Sequence, residues 1–380
     1  MSNAPQFEHH IKQILGVSDL RAMRGGDAVS ISRGDGVWVF DEQGKKYLEA
    51  CSSYYCAGLG FGFEKEILSA ISDQLRQLSF YVSAASKTTD VTTQYAEKLA
   101  DLSPLDDPFI LFGCSGSEAN DFLIKAMRYA NIANGRPRKQ KVISRIGGYH
   151  GGTISTSALG GDNHLHKSFG LAVQGAPYIS QPDYFGQSKE NESEAEYVKR
   201  LISELDRTIE LADPNTIGAL ILEPVNFSAG FFVPPSGYLE RVSETLSKHD
   251  IKLFVDEVVT GFGRLGSYFG STVTGLHPDC VTIGKSMSAA YFPISAAIIS
   301  RDLYADIEKG SDQHGLFAHA GTYAGHPIGA AIGLKVLEIF EQRQIIEHVN
   351  SVATHFARQI ELLANHPLVA NVRKMGLAGA

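Results

Sequence analysis

Tryptophan occurs once and cysteine only four times in 380 residues. The thiols Cys51, Cys56, Cys114 and Cys280 form no CxxC pair, which excludes a disulfide framework and reads as free thiols in a reducing cytoplasm. An excess of basic charge is also missing. The 42 acidic and 34 basic side chains leave a net charge of −8, with both signs interspersed. A duplex nucleic-acid partner, which favours a basic face, is therefore not expected. No apolar run is long enough for a bilayer, and the best candidate, residues 288–300, is interrupted by Pro293. The first thirty residues carry His9, His10, Lys12, Asp19 and Arg21 without a continuous apolar block, so no signal peptide is expected. Repeats and low-complexity tracts are absent too. Hydrophobic residues make up 43% of the chain and recur throughout, which rules out disorder as the dominant state.

What the chain does have is glycine, 38 residues of it, much of it directly after short apolar runs. Such runs occupy residues 109–112, 141–145, 217–222, 251–255, 281–283 and 294–299, and they are continuous rather than alternating. Continuous apolar strands belong to a sheet covered on both faces. Helical periodicity separates many of them, at about 117–133, 194–212 and 238–247, so the fold class is α/β with a mostly parallel sheet. Residues 29–50 read as a small antiparallel unit with turns at 34–36 and at Gly44, and residues 329–363 as strongly helical. The expected domains are a large α/β unit at 60–325 and a smaller α+β unit assembled from both ends, 1–59 and 326–380. Residues 368–380 read as a strand and a second apolar run with no neighbour, as if the chain were cut within its terminal domain.

Three segments carry candidate chemistry. In Phe109-Ile110-Leu111-Phe112-Gly113-Cys114-Ser115-Gly116-Ser117-Glu118 a strand runs through Ser-Gly-Ser into a helix. A helix start offers unpaired N–H groups and partial positive charge, which suits a phosphate; plain N-capping by Ser115 or Ser117 is the competing reading. The run ending in Asp256-Glu257 places carboxylates where a strand leaves the sheet, the place where α/β proteins gather ligands. Asp256 there could hold a cation or a protonated ring nitrogen, or simply form a turn. No His or Cys lies near it at metal-ligand spacing, so no metal site is expected. Lys285 follows the strand 281–283 in a stretch with no other charge between Asp279 and Arg301. A desolvated ammonium has a lowered pKa and becomes a nucleophilic amine; a solvated loop lysine is the bland alternative.

An anion seat, an acid and an amine, all at strand ends, are together the three anchors that pyridoxal phosphate needs. Ile146-Gly147-Gly148-Tyr149-His150-Gly151 adds an aromatic side chain that could stack on the ring. With these residues the chain resembles the class III (omega-) aminotransferases of the type I pyridoxal-phosphate fold. The resemblance rests on Ser115-Gly116-Ser117-Glu118-Ala119, Tyr149-His150-Gly151, Glu223-Pro224-Val225, Asp256-Glu257-Val258 with Gly261-Phe262-Gly263-Arg264, Gly284-Lys285, and Gly321-Thr322-Tyr323-Ala324-Gly325-His326-Pro327, in family order.

The resemblance implies pyridoxal 5'-phosphate as cofactor, with Lys285 forming the Schiff base and later acting as proton-transfer base, and Asp256 pairing with the pyridinium nitrogen. Tyr149 and Val258 would cover the two ring faces. Ser115, Gly116 and Ser117 would bind the phosphate, helped by Thr322 from a second subunit, so a homodimer with shared sites is expected. Glu223 would lie near the ring, and Tyr55 would wall the substrate pocket. The implied reaction moves an amino group from an amine or omega-amino compound to an oxo-acid such as pyruvate, both small molecules. The same cofactor could instead serve an aminomutase or a decarboxylase, and a shortened chain could be an inactive relative. A nucleotide-dependent hydride transfer lacks its glycine fingerprint. The chain departs from the family at Asn226-Phe227-Ser228-Ala229-Gly230-Phe231-Phe232, where a glycine-rich stretch is commoner, and at Ser286-Met287-Ser288. The carboxylate-binding arginine of many members falls beyond residue 380.

Overall fold

The computed structural model describes residues 13–24, 28–171 and 177–380. Residues 1–12, on which the expectation of no signal peptide partly rests, lie outside them. No helix among the described residues is long and apolar enough to cross a membrane.

Near the N-terminus β1 (Ile31–Asp35), β2 (Trp38–Asp41) and β3 (Lys46–Leu48) form the anticipated antiparallel sheet. Its first turn falls one step later than the glycine pattern suggested, because Gly34 and Asp35 remain paired with Val39 and Trp38. Gly36, at φ +58°, makes the reversal.

The main sheet contains β4 (Phe109–Gly113), β5 (Lys141–Arg145), β6 (Tyr178–Ile179), β7 (Ile217–Leu222), β8 (Lys252–Asp256), β9 (Cys280–Ile283) and β10 (Ser295–Ile299), in spatial order β4-β10-β9-β8-β7-β5-β6. The pairings β9–β8, β8–β7, β7–β5 and β5–β6 are parallel, whereas β10 runs antiparallel to both neighbours. It follows that β4, β5, β7, β8 and β9 all point the same way. Their carboxyl ends share one edge of the sheet, and the loops that leave them meet there.

Burial on both faces explains the continuous apolar runs. Leu253 and Val255 of β8 pack with Leu220, Leu222 and the helices Glu194–Ala212 and Tyr238–Lys248. Phe254, from the alternate face, packs with Ala219, Ile221 and the helices Gly116–Ala133 and Arg301–His314. That alternation, two residues per repeat, sends Asp256 toward the Gly116–Ala133 helix.

The helical stretch expected at 329–363 is two helices, Pro327–Gln342 and Ile345–Leu362, broken where Gln344 takes φ +50°. Pro327 opens the first at the position where a missing N–H costs nothing. Its Ile332, Val336, Leu337 and Phe340 enter the core that also holds Tyr95 and Leu99 of the helix Asp90–Leu102. The terminal residues differ from the expected strand. Residues 369–373 form no regular strand; instead Lys374–Met375 (β11) and Ala378–Gly379 (β12) form a hairpin about Gly376, at φ +58°, which Arg373 and Ala380 extend by one backbone-bonded pair. The segment thus satisfies its backbone by folding on itself, and the Leu377 N–H donates to the Arg264 carbonyl at 3.0 Å.

Tyr95 links this support to the sheet edge. Its ring is fully buried, and its hydroxyl donates to the Met287 carbonyl at 2.8 Å, in the turn that follows β9. A Cβ on Gly333 would lie 2.2 Å from Tyr95 Cζ, so the helix approaches only because glycine stands there. Gly333→Ala is expected to destabilise the fold by about 1–3 kcal/mol through overpacking, read as a lower midpoint in urea unfolding. An unchanged midpoint would mean that this contact is loose.

Candidate functional site

The loops at the shared sheet edge enclose a cavity of about 420 Å³. Ser115, Gly116, Ser117, Tyr149, Glu223, Asp256, Val258 and Lys285 all line it, although they span 170 residues of sequence (285 − 115). Tyr55 stands beside it, with its ring centre 5.7 Å from Lys285 Nζ. Thr322 is exposed and is not among the lining residues.

Asp256 ends β8 and is buried. Its Oδ2 accepts from Asn120 Nδ2 at 2.8 Å and faces His150 Nδ1 at 3.0 Å; its Oδ1 accepts from the Val258 N–H at 3.0 Å. A carboxylate only accepts, so the hydrogen-bond pattern puts a proton on His150 Nδ1. Asn120 is itself fixed, donating to the His150 carbonyl and accepting from Thr282 Oγ1, each at 2.8 Å. His150 Nε2 is buried without a protein partner among the described residues.

The helix Gly116–Ala133 starts at the cavity wall. Ser115 caps it, accepting from the Glu118 N–H at 3.2 Å, so the capping reading holds for this serine. Ser117 does something else: its Oγ accepts from the Gly152 N–H at 2.9 Å and keeps its own proton for another acceptor. A Cβ on Gly116 would lie 2.8 Å from Val258 Cγ2, which explains why this position has no side chain. The start of a long helix, a serine hydroxyl and bare backbone make a seat for an anion.

Lys285 follows Gly284 in a tight helical turn, at φ +46°, a conformation that side chains other than glycine seldom adopt. Tyr95 pins that turn through the Met287 carbonyl. Burial lowers the pKa of the Lys285 amine; Cys56 and Asp256 oppose the shift, while the Arg264 guanidinium adds to it. Glu223 is pushed the opposite way, upward, by burial, against the nearby His150 and the Tyr149 N–H. Its carboxylate accepts from that N–H at 3.0 Å and from Asn226 Nδ2 at 2.6 Å. Tyr149 keeps 45% of its surface exposed and its ring at the cavity.

Asn120, His150 and Arg264 belong to the site although sequence reasoning gave them no role. Asn120 had a legible signal: it shares the buried helix face with Leu123, Ile124 and Met127. Arg264 had none, because its position depends on Tyr55, whose carbonyl accepts from Arg264 Nη2 at 3.0 Å. Tyr55 is delivered by a left-handed turn in which residues 52–55 all have φ between +48° and +66°.

The donor set fits a phosphorylated pyridine aldehyde: an anion seat, an acid held by three hydrogen-bond partners, an amine of lowered basicity and an exposed ring. Because the Lys285 amine is uncharged over a wider pH range than a solvated lysine, it is expected to react first with trinitrobenzenesulfonate at pH 8 in cofactor-free protein. Peptide mass spectrometry that finds surface lysines labelled equally fast would contradict this.

The family model described as aminotransferase class-III matches residues 22–380. Vanillin aminotransferase of Capsicum frutescens is 38% identical over 349 residues, covering 92% of this chain and 76% of that protein. Gamma-aminobutyrate transaminase 1, mitochondrial, of Oryza sativa subsp. japonica is 37% identical over 348 residues, covering 91% and 67%. The omega transaminase from Pseudomonas jessenii in complex with PMP superposes with a TM-score of 0.94 at 34% identity, covering 97% of this chain and 81% of that one. The chain belongs to the class III aminotransferases, enzymes that transfer amino groups with pyridoxal 5'-phosphate.

Proposed function

We propose that the enzyme takes the amino group of an amine or omega-amino compound and passes it to an oxo-acid such as pyruvate. The meeting of Lys285, Asp256 and the Gly116–Ser117 helix start on one cavity carries this reading. The relative named for gamma-aminobutyrate supports a donor whose amine sits on a terminal carbon, and the one named for vanillin a carbonyl partner on a terminal carbon.

Pyridoxal 5'-phosphate supplies a carbonyl that carries the amino group and a ring that withdraws electrons. Lys285 would hold that carbonyl, and its Nζ would take up and return a proton; its lowered basicity suits both tasks. Asp256 would accept a hydrogen bond from the protonated ring nitrogen, and Asn120 and His150 fix the carboxylate's orientation. Ser115, Gly116 and Ser117 would bind the phosphate, Tyr149 and Val258 would cover the ring, and Glu223 would hold its polar side. Tyr55 walls the substrate side. Residues 60–325 act as the cofactor-binding unit, flanked by a smaller unit from 1–59 and 326–380.

The working form is a homodimer in which Thr322 reaches the partner's phosphate seat. Its exposure supports this, as does the neighbouring Tyr323, which is 62% exposed and packs at 5.8 Å on Phe80, itself partly exposed. Exposed aromatic surface of this kind suits an interface. The four unpaired cysteines fit a cytoplasmic setting.

Amines and omega-amino acids assayed with pyruvate and with 2-oxoglutarate test the reaction; no transfer from any donor to either acceptor overturns it. Lys285→Ala is expected to abolish turnover with the fold retained, and borohydride to attach the cofactor to Lys285 of the wild type alone. Undiminished activity would remove Lys285 from the mechanism. Thr322→Ala, which touches nothing in its own cavity, is expected to weaken cofactor binding by about tenfold, as loss of a hydrogen bond to a charged group does. Unchanged affinity in equilibrium dialysis would reject the shared site.

A further inference from the structure

We propose that Phe227 sets the size limit for the amino donor, its ring closing the substrate side of the cavity against bulky apolar substituents. The inference rests on the amine-donor reading above and narrows its substrate class.

The ionisable side chains of the cavity wall, Glu223, Asp256, His150 and Lys285, cluster on the side that takes the cofactor. The rest of the wall is largely apolar and includes Val225, Phe227, Phe292, Pro293 and Ile294. Such a surface accepts a hydrocarbon substituent. Phe227 stands one ring away from the reacting amine. Lys285 Nζ lies 5.7 Å from the Tyr55 ring centre, and the Tyr55 ring meets Phe227 edge-on at 5.2 Å and 67°.

Phe227 is also held in place. Its other aromatic contact is Phe231, again edge-on, at 4.9 Å and 84°. The loop that carries both closes on itself: the Asn226 N–H donates to the Phe232 carbonyl at 3.1 Å, and the Phe232 N–H donates back at 2.8 Å. Asn226 Oδ1 accepts from the Ala229 N–H at 2.8 Å, while its Nδ2 donates to Glu223. Arg373 Nε donates to the Gly230 carbonyl at 2.9 Å. Phe231 is buried at φ +57°, a costly conformation for a bulky residue that persists only where its surroundings over-determine it. A ring braced on both sides by aromatic partners, on a loop tied at three points, does not swing aside for a larger ligand.

The test measures kcat/KM of the holoenzyme for propylamine, benzylamine and 1-phenylpropylamine with pyruvate, in wild type, Phe227→Leu and Phe227→Ala. The ratio of 1-phenylpropylamine to propylamine is expected to rise by about tenfold or more in Phe227→Ala and by less in Phe227→Leu, on the scale at which pockets discriminate a few carbon atoms. An unchanged ratio in an active variant overturns the proposal, and Phe227→Leu decides the matter where the alanine variant fails to fold. A wild type inactive with all three amines but active with an omega-amino acid overturns the apolar character of this wall. Inactivity with every donor overturns the donor reading itself.

Discussion

A carboxylate cannot stay charged inside a protein unless donors surround it, and the Asp256 carboxylate is where this fold meets that demand. Its three donors come from three places: Asn120 on a helix, His150 on the loop after β5, and the Val258 N–H just beyond β8. Asn120 extends the network to β9 through Thr282. One acidic group therefore locks four neighbouring pieces of the sheet edge into register. Its place at the cavity wall follows from the pleat of β8, which turns Phe254 and Asp256 to the same face.

The opposite charge is handled differently. Lys285 sits in a strained turn. Burial and the nearby Arg264 guanidinium favour its neutral amine, against the pull of Cys56, Asp256 and Glu223. Tyr55 stands between the two cations, its ring centre 5.7 Å from each, and its own backbone is bent into a left-handed turn to reach that place. Both Lys285 and the aromatic loop at Phe231 carry left-handed backbone.

Much of this could be read from the chain. Continuous apolar runs gave the strands of a sheet covered on both faces, and a glycine or an acid at each strand end marked the edge where ligands collect. The helix at 194–212 was legible to the residue, because Ser193 and Glu196 form a capping box at its start. What escaped depended on contacts between distant segments. Nothing local separates residues 327–342 from 345–362, since the break lies in the backbone of Gln344. The terminal strand was misread because alternation alone cannot say that Gly376 turns the segment back on itself. Arg264 and Phe227 meet the amine through Tyr55, which lies 172 residues before Phe227 (227 − 55).

The bond from Tyr95 to the Met287 carbonyl has a bearing on timing. The reactive lysine leans on a tyrosine made long before it, yet that tyrosine is wedged in place by Gly333, which a ribosome adds 48 residues after Lys285 (333 − 285). During synthesis the sheet edge is complete before its buttress exists. The turn that carries the lysine is thus braced only once the Pro327–Gln342 helix has docked.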